Sequence, residues 1–407
     1  MALGLQKPWF VEQAELDREN HRLTITLDFE VGARLPCATC GEACPTHDTV
    51  ESRWRHLNFF QFVTEVAARV PRTKCSRDGV HVAAVPWARP GSGFTLLFEA
   101  LVMLMGQEGM TTNAMSRILD EHDTRLWRVL HHYVDEGRAR ADHSDVVAFG
   151  LDETSRAKGH DYVTTFVDPV ARRVLLVAEG RSSETVAEFK TDLEIHGGDA
   201  SKVVHVSLDM SAAFQKGVAE SFPNAKMTFD KFHVIKLAND VVDQVRRVES
   251  KSTPQLKKTR YAWLRNAPDL SEEERASIER ARRVATRTAT AYRIKVRLQE
   301  LYTLERGAAA LEIVKLYDSA IRCKPPQVKR LGRTIRAHAD GILSHWDSGL
   351  TNGLLEGLNS LIQAAKARAR GFRSFRKMQT VIYLLLGRLN FRLPSLISLP
   401  RPLLTTS

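Results

Sequence analysis

The chain has few cysteines and no long uninterrupted hydrophobic run. Five cysteines occur in 407 residues, four of them before position 76. This odd, clustered set does not fit a disulfide framework and instead suits a reduced compartment with a metal site. The longest apolar candidate, Leu96 to Met105, is too short and interrupted to cross a bilayer, and no charged leader followed by an apolar stretch opens the chain. We therefore expect a cytoplasmic protein without a membrane partner.

Negative charge is scarce relative to positive charge. The chain carries 59 Lys and Arg against 48 Asp and Glu, giving a formal net charge of +11. This balance favours polyanionic partners such as nucleic acids. With 43% hydrophobic residues, the chain is globular rather than disordered. Its length suggests about two to four domains.

The first third contains a cysteine turn that looks like a zinc ribbon. Cys37 and Cys40 form a Cys-x-x-Cys-Gly knuckle, and Cys75 begins a second, imperfect one. Two thiolates of a knuckle bind one tetrahedral zinc ion, and a second knuckle completes the ligand set. The candidates for the fourth ligand are Cys44, His47, Asp78 and His81, of which we favour His81. The alternative is a metal-free ribbon held together by its apolar strands.

Helical periodicity between residues 94 and 140 predicts a helix-turn-helix in three segments. These segments are Phe94 to Gly109, Thr112 to Glu121 and Thr124 to Gly137. The third segment carries Arg125 and Arg128 near its start, which suits insertion into the major groove of double-stranded DNA. The alternative is an ordinary three-helix bundle with a solvated basic face.

Two aspartates follow apolar runs that are typical of buried strands. Asp152 follows the run from Val146 to Leu151, and Asp209 follows the run from Val203 to Leu208. The predicted element order is strand, strand, strand, helix, strand, which is the opening of a ribonuclease-H-like fold. Its first and fourth strands are neighbours, so Asp152 and Asp209 would meet. Taken singly, each aspartate could be a turn or a helix cap.

Glu356, which lies where a polar loop enters a helix, supplies a third acidic side chain. Two strand-end aspartates and one helical glutamate can converge on a pair of divalent cations, which activate a nucleophile and stabilise the leaving oxygen. Hard oxygen ligands favour Mg²⁺ or Mn²⁺. The three residues together predict phosphodiester chemistry on DNA.

Asp230 and His233 form a second constellation directly after the apolar stretch Lys226 to Phe229. Their spacing puts both residues on one helical face. Either they contact the scissile phosphate and order the metal site, or they cap a helix and pack its start.

The region from Lys236 to about His345 is charge-rich and helical and contains no catalytic motif, so it predicts an inserted all-helical domain. Trp263 within it could stack on an unpaired base or pack in a core. Downstream, a one-signed basic stretch with interleaved aromatics can clamp DNA phosphates. The residues we assign to this stretch are Lys366, Arg368, Arg370, Arg373 and Arg376. The alternative is a solvated basic helix.

The whole chain resembles a family, the bacterial insertion-sequence transposases of the ISL-three type. The resemblance rests on the Cys37-to-Cys40 knuckle and on motifs around the acidic residues. These motifs are Trp54-Arg55-His56-Leu57, Val85-Pro86-Trp87-Ala88, Gly150-Leu151-Asp152-Glu153, Asp209-Met210-Ser211, Phe229-Asp230-Lys231-Phe232-His233-Val234 and the stretch from Asn352 to Gly357. The departure at Asp78 affects only the zinc count.

The resemblance implies a DDE transposase in which Asp152, Asp209 and Glu356 bind two magnesium ions. A zinc ribbon and helix-turn-helix would read the element ends, and pairing of two ends implies a homodimer or a larger assembly on DNA. Two rivals are a nuclease of the same fold, which cuts without joining, and a non-catalytic DNA-binding regulator.

The predicted fold class is multidomain α+β. We expect a zinc-ribbon domain over residues 1–90, a helix-turn-helix over 91–143 and the first part of a ribonuclease-H-like core over 144–235. A helical insertion over 236–345 and the final part of the core, with a basic C-terminal helix, over 346–407 complete the chain.

Overall fold

The computed structural model describes residues 5–155, 162–348 and 353–394, without the side chains of residue 348 and residues 353–356. The chain divides into two compact units, Met1–Arg138 with Leu389–Ser407, and Ala139–Arg388. Among the helices in the described ranges, none combines the length and apolar content needed to span a bilayer.

The first unit is built on a twisted sheet around a long hairpin. Its strands are β1 (Trp9–Asp17), β2 (Arg22–Phe29), β3 (Leu35–Pro36), β4 (Ala43–Cys44), β5 (Thr46–Phe59), β6 (Phe62–Cys75) and β7 (Gly79–Val82). The sheet order is β1-β2-β6-β5 with β7 also on β6, and β3 pairs separately with β4. The pair β2 and β6 is parallel, whereas the other neighbours are antiparallel.

Three tryptophans form the centre of this sheet's core. Trp87 packs edge-on against Trp9, with ring centroids 4.8 Å apart, and against Trp54 at 5.5 Å. All three rings are buried. Edge-to-face packing of this kind is favourable beyond the area that it buries. It therefore fixes the segment that follows β7 onto the sheet.

Three helices follow, as the periodicity predicts: α1 (Leu96–Gln107), α2 (Thr112–Leu119) and α3 (Asp123–Ala139). The side chain of Thr111 caps α2 by accepting from the backbone N–H of Ala114. Asp120 adopts a left-handed conformation that ends α2 before the turn into α3. The three helical segments predicted from the sequence are thus observed as three consecutive helices.

The fully buried carboxylate of Glu99 connects these helices to the chain before them. It accepts from Arg89 Nε at 2.9 and 3.0 Å, from Ser92 Oγ at 2.6 Å and from the Tyr133 hydroxyl at 2.8 Å. A buried charge is tolerated only when it is paired and hydrogen-bonded, and Glu99 is both. The carboxylate therefore fixes α3 and the Arg89–Ser92 turn to α1.

The second unit contains a five-stranded mixed sheet. Its strands are β8 (Ala148–Ser155), β9 (Tyr162–Asp168), β10 (Arg173–Glu179), β11 (His205–Leu208) and β12 (Lys226–Phe229), in the order β10-β9-β8-β11-β12. Helices α4 (Ser183–Ile195) and α5 (Ala212–Ser221) precede and follow β11. The three first strands are antiparallel, and β11 is parallel to both β8 and β12. The prediction that the first and fourth strands are neighbours is confirmed.

The prediction that Asp152 ends its strand is wrong. Strand β8 continues for three residues beyond it, because Asp152 to Ser155 pair with Thr165 to Tyr162 of β9. The apolar run ends at Leu151 because the last four residues of β8 are polar and only partly buried, while the backbone pairing continues. Apolar content marks burial, whereas the strand is defined by its hydrogen bonds.

The chain between β12 and residue 348 is helical apart from its turns. The helices are α6 (Lys231–Glu249), α7 (Arg260–Leu264), α8 (Glu272–Arg282), α9 (Thr286–Leu301), α10 (Arg306–Arg322), α11 (Pro326–Ala337) and α12 (Ala339–Ser348), with 3-10 turns at Pro254–Leu256 and Ala267–Asp269. The carboxylate of Glu249 caps α9 by accepting from the backbone N–H groups of Arg287 at 3.1 Å and Thr288 at 2.6 Å. Trp263 is fully buried, so it packs in the core.

Helix α12 brings the chain back to the strand from which the helical segment departs. The hydroxyls of Thr228 in β12 and Ser344 in α12 are 2.7 Å apart and buried, and Lys226 forms an ion pair with Asp347. The contact is close because α12 presents Gly341 to the ring of Phe229: a Cβ built on Gly341 would lie 2.3 Å from Phe229 Cε2. The two ends of the helical segment therefore meet at one sheet edge.

The last helices are α13 (Gly353–Arg368) and α14 (Phe375–Leu386). Helix α14 covers β10 at the outer edge of the sheet. There the Tyr383 hydroxyl accepts from the N–H of Val177 at 3.1 Å, and Gln379 Nε2 donates to the carbonyl of Val177 at 2.9 Å. Covering an edge strand in this way satisfies backbone groups that would otherwise be open to pairing with another chain.

Replacing Gly341 with alanine tests the packing of α12. We expect Gly341→Ala to destabilise the protein by about 1–3 kcal/mol, since the added methyl overlaps the Phe229 ring. Gly307→Ala in α10 is the matched control, because a Cβ there meets nothing within 4 Å. The control should be neutral or stabilising by up to about 1 kcal/mol. Urea denaturation measures both, and equal midpoints for the two variants would contradict the packing.

Candidate functional site

The pairing of β8 with β11 brings Asp152 and Asp209 to the same point of the sheet. The parallel register aligns Gly150 with Ser207. Asp152 and Asp209 each come two residues later, so they lie opposite each other. Neighbouring strands lie about 4.8 Å apart, and residues separated by two positions share a face. Asp209 follows the last residue of β11, and its Oδ1 accepts from the N–H of Ser211 at 2.9 Å.

His233 lies against this pair of carboxylates. Its Nε2 is 3.6 Å from Asp152 Oδ1, and both side chains are about one-fifth exposed, at 21% and 23%. Burial acts to lower the pKa of His233, but the hydrogen bond to Asp152 and the charges of Asp152, Asp230 and Asp209 outweigh it and raise the pKa. The imidazole therefore interacts electrostatically with all three aspartates.

Asp230 is the N-cap of α6, as one of the two sequence interpretations has it. Its Oδ1 accepts from the N–H of Phe232 at 2.7 Å, and the residue is buried. A carboxylate at this position satisfies a backbone donor and interacts favourably with the helix dipole. Asp230 thereby fixes the first turn of α6, which carries His233.

Glu153 and Arg181 flank the carboxylates and were not singled out from the sequence. Burial raises the pKa of Glu153; Arg181 opposes this rise, whereas the charges of Asp209 and Asp152 add to it. The Arg181 guanidinium lies 3.7 Å from Glu153 Oε1 and 3.9 Å from the centre of the Tyr162 ring. The only sequence signal for Glu153 is its adjacency to Asp152.

One face of α13 is fastened to β8 by polar side chains. Asn359 Nδ2 donates to Asp152 Oδ2, Gln363 Nε2 donates to Thr154 Oγ1 at 2.6 Å, and Lys366 Nζ donates to the carbonyl of Ser155. The donors are spaced at four and three positions and so lie on one face of α13, and their acceptors belong to the last four residues of β8. Asn359 contacts Asp152 directly, and sequence reasoning missed it although it lies one turn after Glu356.

Glu356 lies in the first turn of α13, and its side chain is outside the described part of the structure. Its backbone position is three residues before Asn359, which contacts Asp152. Residues separated by three positions lie on the same face of a helix. The backbone of Glu356 thus lies on the face of α13 that faces β8.

The predicted phosphate clamp divides into two groups. Lys366 is half-buried and directed to the Ser155 carbonyl. Four arginines are exposed around the turn between α13 and α14: Arg368, Arg370, Arg373 and Arg376. The turn is sharp, with left-handed backbone at Arg370 and Gly371 (φ 53° and 90°). The exposed cations are therefore grouped at a turn rather than along a helix face.

The two arginines predicted to contact DNA from α3 also differ. Arg125 forms an ion pair with Glu121 at 2.5 Å, and its guanidinium lies 4.3 Å from the centre of the Phe94 ring. Arg128 is exposed, whereas its neighbour Trp127 is buried. Arg125 thus has a role within the first unit, and Arg128 is the solvent-facing cation of the pair.

Three cysteines and one aspartate converge in the first unit. Cys37, Cys40, Cys75 and Asp78 each offer a ligand atom within 4.8 Å of the others. Asp78 Oδ2 lies 3.4 Å from Cys75 Sγ and 3.6 Å from Cys37 Sγ, and Cys40 Sγ lies 3.6 Å from Cys75 Sγ. Tetrahedral zinc with Zn–S bonds of about 2.3 Å sets its ligands about 3.8 Å apart, so this donor set fits zinc.

The other candidates for the fourth ligand lie outside this group. His81 Nε2 is 2.6 Å from the backbone carbonyl of Asp78, Cys44 packs beside the thiols, and His47 is exposed. Hydrogen bonds, first from Cys40 and then from Cys75, lower the pKa of Asp78. The structure brings Asp78, and not the favoured His81, to the three thiols.

Comparison with known protein families gives three matches in chain order. Residues 34–78 match the zinc finger of the transposases of IS204, IS1001, IS1096 and IS1165, and residues 83–134 match the helix-turn-helix domain of transposase family ISL3. Residues 149–382 match the family described as "Transposase" that accompanies them, which covers more than half of the chain.

Curated relatives agree with these matches over nearly the whole length. The chain is 26% identical over 392 residues to the transposase for insertion sequence element IS1001 of Bordetella parapertussis, covering 91% of this chain and 94% of the relative. It is also 26% identical over 414 residues to the transposase for insertion sequence element IS1557 of Mycobacterium tuberculosis, covering 91% of each.

Single substitutions distinguish Asp78 from His81 as a zinc ligand. We expect Asp78→Ala to weaken zinc binding at the three thiols at least about tenfold, because loss of a ligand costs more than loss of a supporting contact. His81→Ala should retain zinc, since its ring contacts a backbone carbonyl. Competition with a chromogenic zinc chelator measures both affinities, and a larger loss in His81→Ala would reverse the assignment.

Proposed function

Because the chain belongs to the ISL3 family of transposases, we propose that it binds the terminal inverted repeats of its insertion sequence and catalyses metal-dependent cleavage and strand transfer there. The observation that carries this proposal is the alignment of Asp152 and Asp209 on adjacent parallel strands, with His233 against them. This arrangement concentrates carboxylate oxygens at one point, as phosphodiester chemistry with divalent cations requires.

The proposed core is ribonuclease-H-like and interrupted by the helical segment. In support, the sheet order β10-β9-β8-β11-β12 combines an antiparallel meander with two parallel strands. The helical segment departs after β12 and returns to it at α12. We propose that residues 144–235 and 346–407 form this core and that residues 236–345 form the insertion.

The donor set fits hard divalent cations. Asp152 and Asp209 supply carboxylate oxygens, which Mg²⁺ and Mn²⁺ prefer, and Glu356 is the third proposed ligand. Two such ions bound there would activate the attacking oxygen and stabilise the leaving oxygen. The helical spacing from Asn359 supports Glu356 as the residue that α13 brings to the same site.

The neighbouring side chains have positioning roles in this proposal. Asn359 donates to Oδ2 of Asp152 and His233 approaches Oδ1, so both oxygens of the carboxylate are oriented. Asp230 fixes the turn that carries His233. Orienting carboxylates before the substrate arrives lowers the cost of assembling the reactive geometry.

DNA binding is assigned to two sets of exposed cations. Arg128 of α3 is proposed to approach the groove of the element end, whereas Arg368, Arg370, Arg373 and Arg376 are proposed to contact phosphates near the carboxylates. Arg125 and Lys366 are assigned supporting roles because both are half-buried. Pairing of two ends implies a dimer or larger assembly on DNA.

The chemistry is tested by replacing Asp152 with asparagine. We expect Asp152→Asn to reduce cleavage and joining at least about a hundredfold, because losing one carboxylate charge at a metal site costs several kcal/mol. Binding to the element ends should be nearly unchanged. The assay is excision and joining with Mg²⁺ from a plasmid that carries the element and its native flanks.

The matched control is Asp318→Asn, which changes an exposed carboxylate of α10. It should cleave and join as the wild type does. Normal cleavage by Asp152→Asn would refute the assignment of the site. Cleavage without any joining by the wild type would favour a nuclease, and binding without cleavage would favour a regulator.

The DNA assignment is tested by comparing two arginines of α3. Arg128→Ala should weaken binding to the element end by about 1 kcal/mol or more without lowering thermal stability. Arg125→Ala should lower stability, since it removes the contacts to Glu121 and Phe94. Fluorescence anisotropy at fixed salt and a thermal melt measure the two effects. Arg283→Ala, an exposed arginine after α8, is the charge control, and an equal loss of affinity there would contradict a specific role for Arg128.

A further inference from the structure

A second group of metal-ligating side chains lies in the unit Ala139–Arg388, made of residues that the proposed reaction does not use. His143, Asp192 and His196 each offer a ligand atom within 4.8 Å of the other two. Asp192 lies in the last turn of α4 and His196 is its C-cap, four positions later, so the two share one face. His143 comes from the segment that enters β8.

The three side chains are withdrawn from solvent. His143 is 2% exposed, and the side chains of His196 and Asp192 are 11% and 19% exposed. The two imidazole rings lie 4.8 Å apart between centroids, tilted by 37°. Two imidazoles and a carboxylate in a shielded site are a donor set that zinc prefers, because a dication compensates the carboxylate and accepts both lone pairs.

The backbone around the group orients these ligands. His196 Nδ1 lies 2.7 Å from the carbonyl of Asp192. Since a carbonyl only accepts, Nδ1 carries the hydrogen and Nε2 the lone pair, which is the tautomer that a metal requires. Ligating histidines commonly donate their other ring N–H to a carbonyl in this way.

The two segments are also joined before any ion binds. The N–H of His143 donates to the carbonyl of His196 at 2.8 Å. Arg173 holds the same segment by donating to the carbonyl of Asp142 at 3.0 Å and pairing with Asp145. A site whose backbone is already positioned loses little conformational freedom on binding an ion.

We propose that His143, Asp192 and His196 bind a zinc ion that links the segment entering β8 to the C-terminal end of α4, with solvent completing a tetrahedral coordination. The ion acts structurally: it fixes the start of the strand that carries Asp152. It is separate from the zinc ion assigned to the three thiols and Asp78, and it does not depend on the proposed reaction.

Zinc content per chain tests the proposal on the full-length protein. After dialysis against metal-free buffer, elemental analysis should find about two zinc ions in the wild type and about one in Asp192→Asn and in His196→Gln. His122→Ala, which removes a histidine whose side chain is 73% exposed, is the matched control and should keep both ions. Cys40→Ser should lose the thiol-bound ion and keep this one.

Cobalt provides a test that needs no variant. The titration uses the zinc-free wild type in excess Mg²⁺, which occupies the proposed site at Asp152 and Asp209. Co²⁺ at the thiol site gives thiolate charge-transfer bands together with ligand-field bands, whereas Co²⁺ at the His143 group gives ligand-field bands alone. We expect the charge-transfer bands to saturate near one ion and the ligand-field bands to go on growing until about two ions are bound. Saturation at one ion with the thiolate class only, or zinc content unaffected by both Asp192→Asn and His196→Gln, would show that the group is a hydrogen-bonded cluster and overturn the proposal.

Discussion

The in-register pairing of the parallel strands β8 and β11 is the constraint on which the candidate active site depends. Side chains alternate between the faces of a strand, so a slip of one residue would turn either Asp152 or Asp209 to the opposite face. The hydrogen bonds that align Gly150 with Ser207 therefore decide that two carboxylates, far apart in the chain, share one face at adjacent positions. The neighbouring aspartates outweigh burial and raise the pKa of His233, whereas the pKa of Glu153 is raised first by burial and then by the charges of Asp209 and Asp152.

The long helical segment is compatible with this site because it leaves the sheet and returns to it at one strand. Gly341 lets α12 approach Phe229, and the Thr228–Ser344 hydrogen bond closes the contact. Beyond it, α13 is fastened along β8 through Asn359, Gln363 and Lys366. Polar contacts made by a helix along a strand fix the helix both along and around its axis. This explains how a residue well over a hundred positions beyond Asp209 can belong to the same site.

Positive charge in this chain serves structure as well as binding. Arg125 and Lys366 belong to basic stretches that suggest DNA contact, yet each is occupied by a protein partner, an acidic side chain in one case and a backbone carbonyl in the other. Arg128 and the four arginines of the α13–α14 turn are exposed. The net charge is a sum over all side chains and takes no account of their contacts within the protein. It therefore indicates a polyanionic ligand but does not tell which cations contact that ligand.

The sequence by itself determined that a zinc ribbon, a helix-turn-helix and the transposase region follow one another in the chain. It also determined the three helices of the helix-turn-helix region and the adjacency of the first and fourth core strands. Local periodicity, caps and cysteine spacing carry the order of the regions and the helices within a few residues, whereas the strand adjacency was expected from the element order of a ribonuclease-H-like fold. Only the tertiary structure decided that β8 extends past Asp152, that Asp78 rather than His81 joins the thiols, that Asn359 contacts Asp152, and that His143 meets Asp192 and His196. Each of these depends on backbone pairing or packing between distant segments, which no local pattern records.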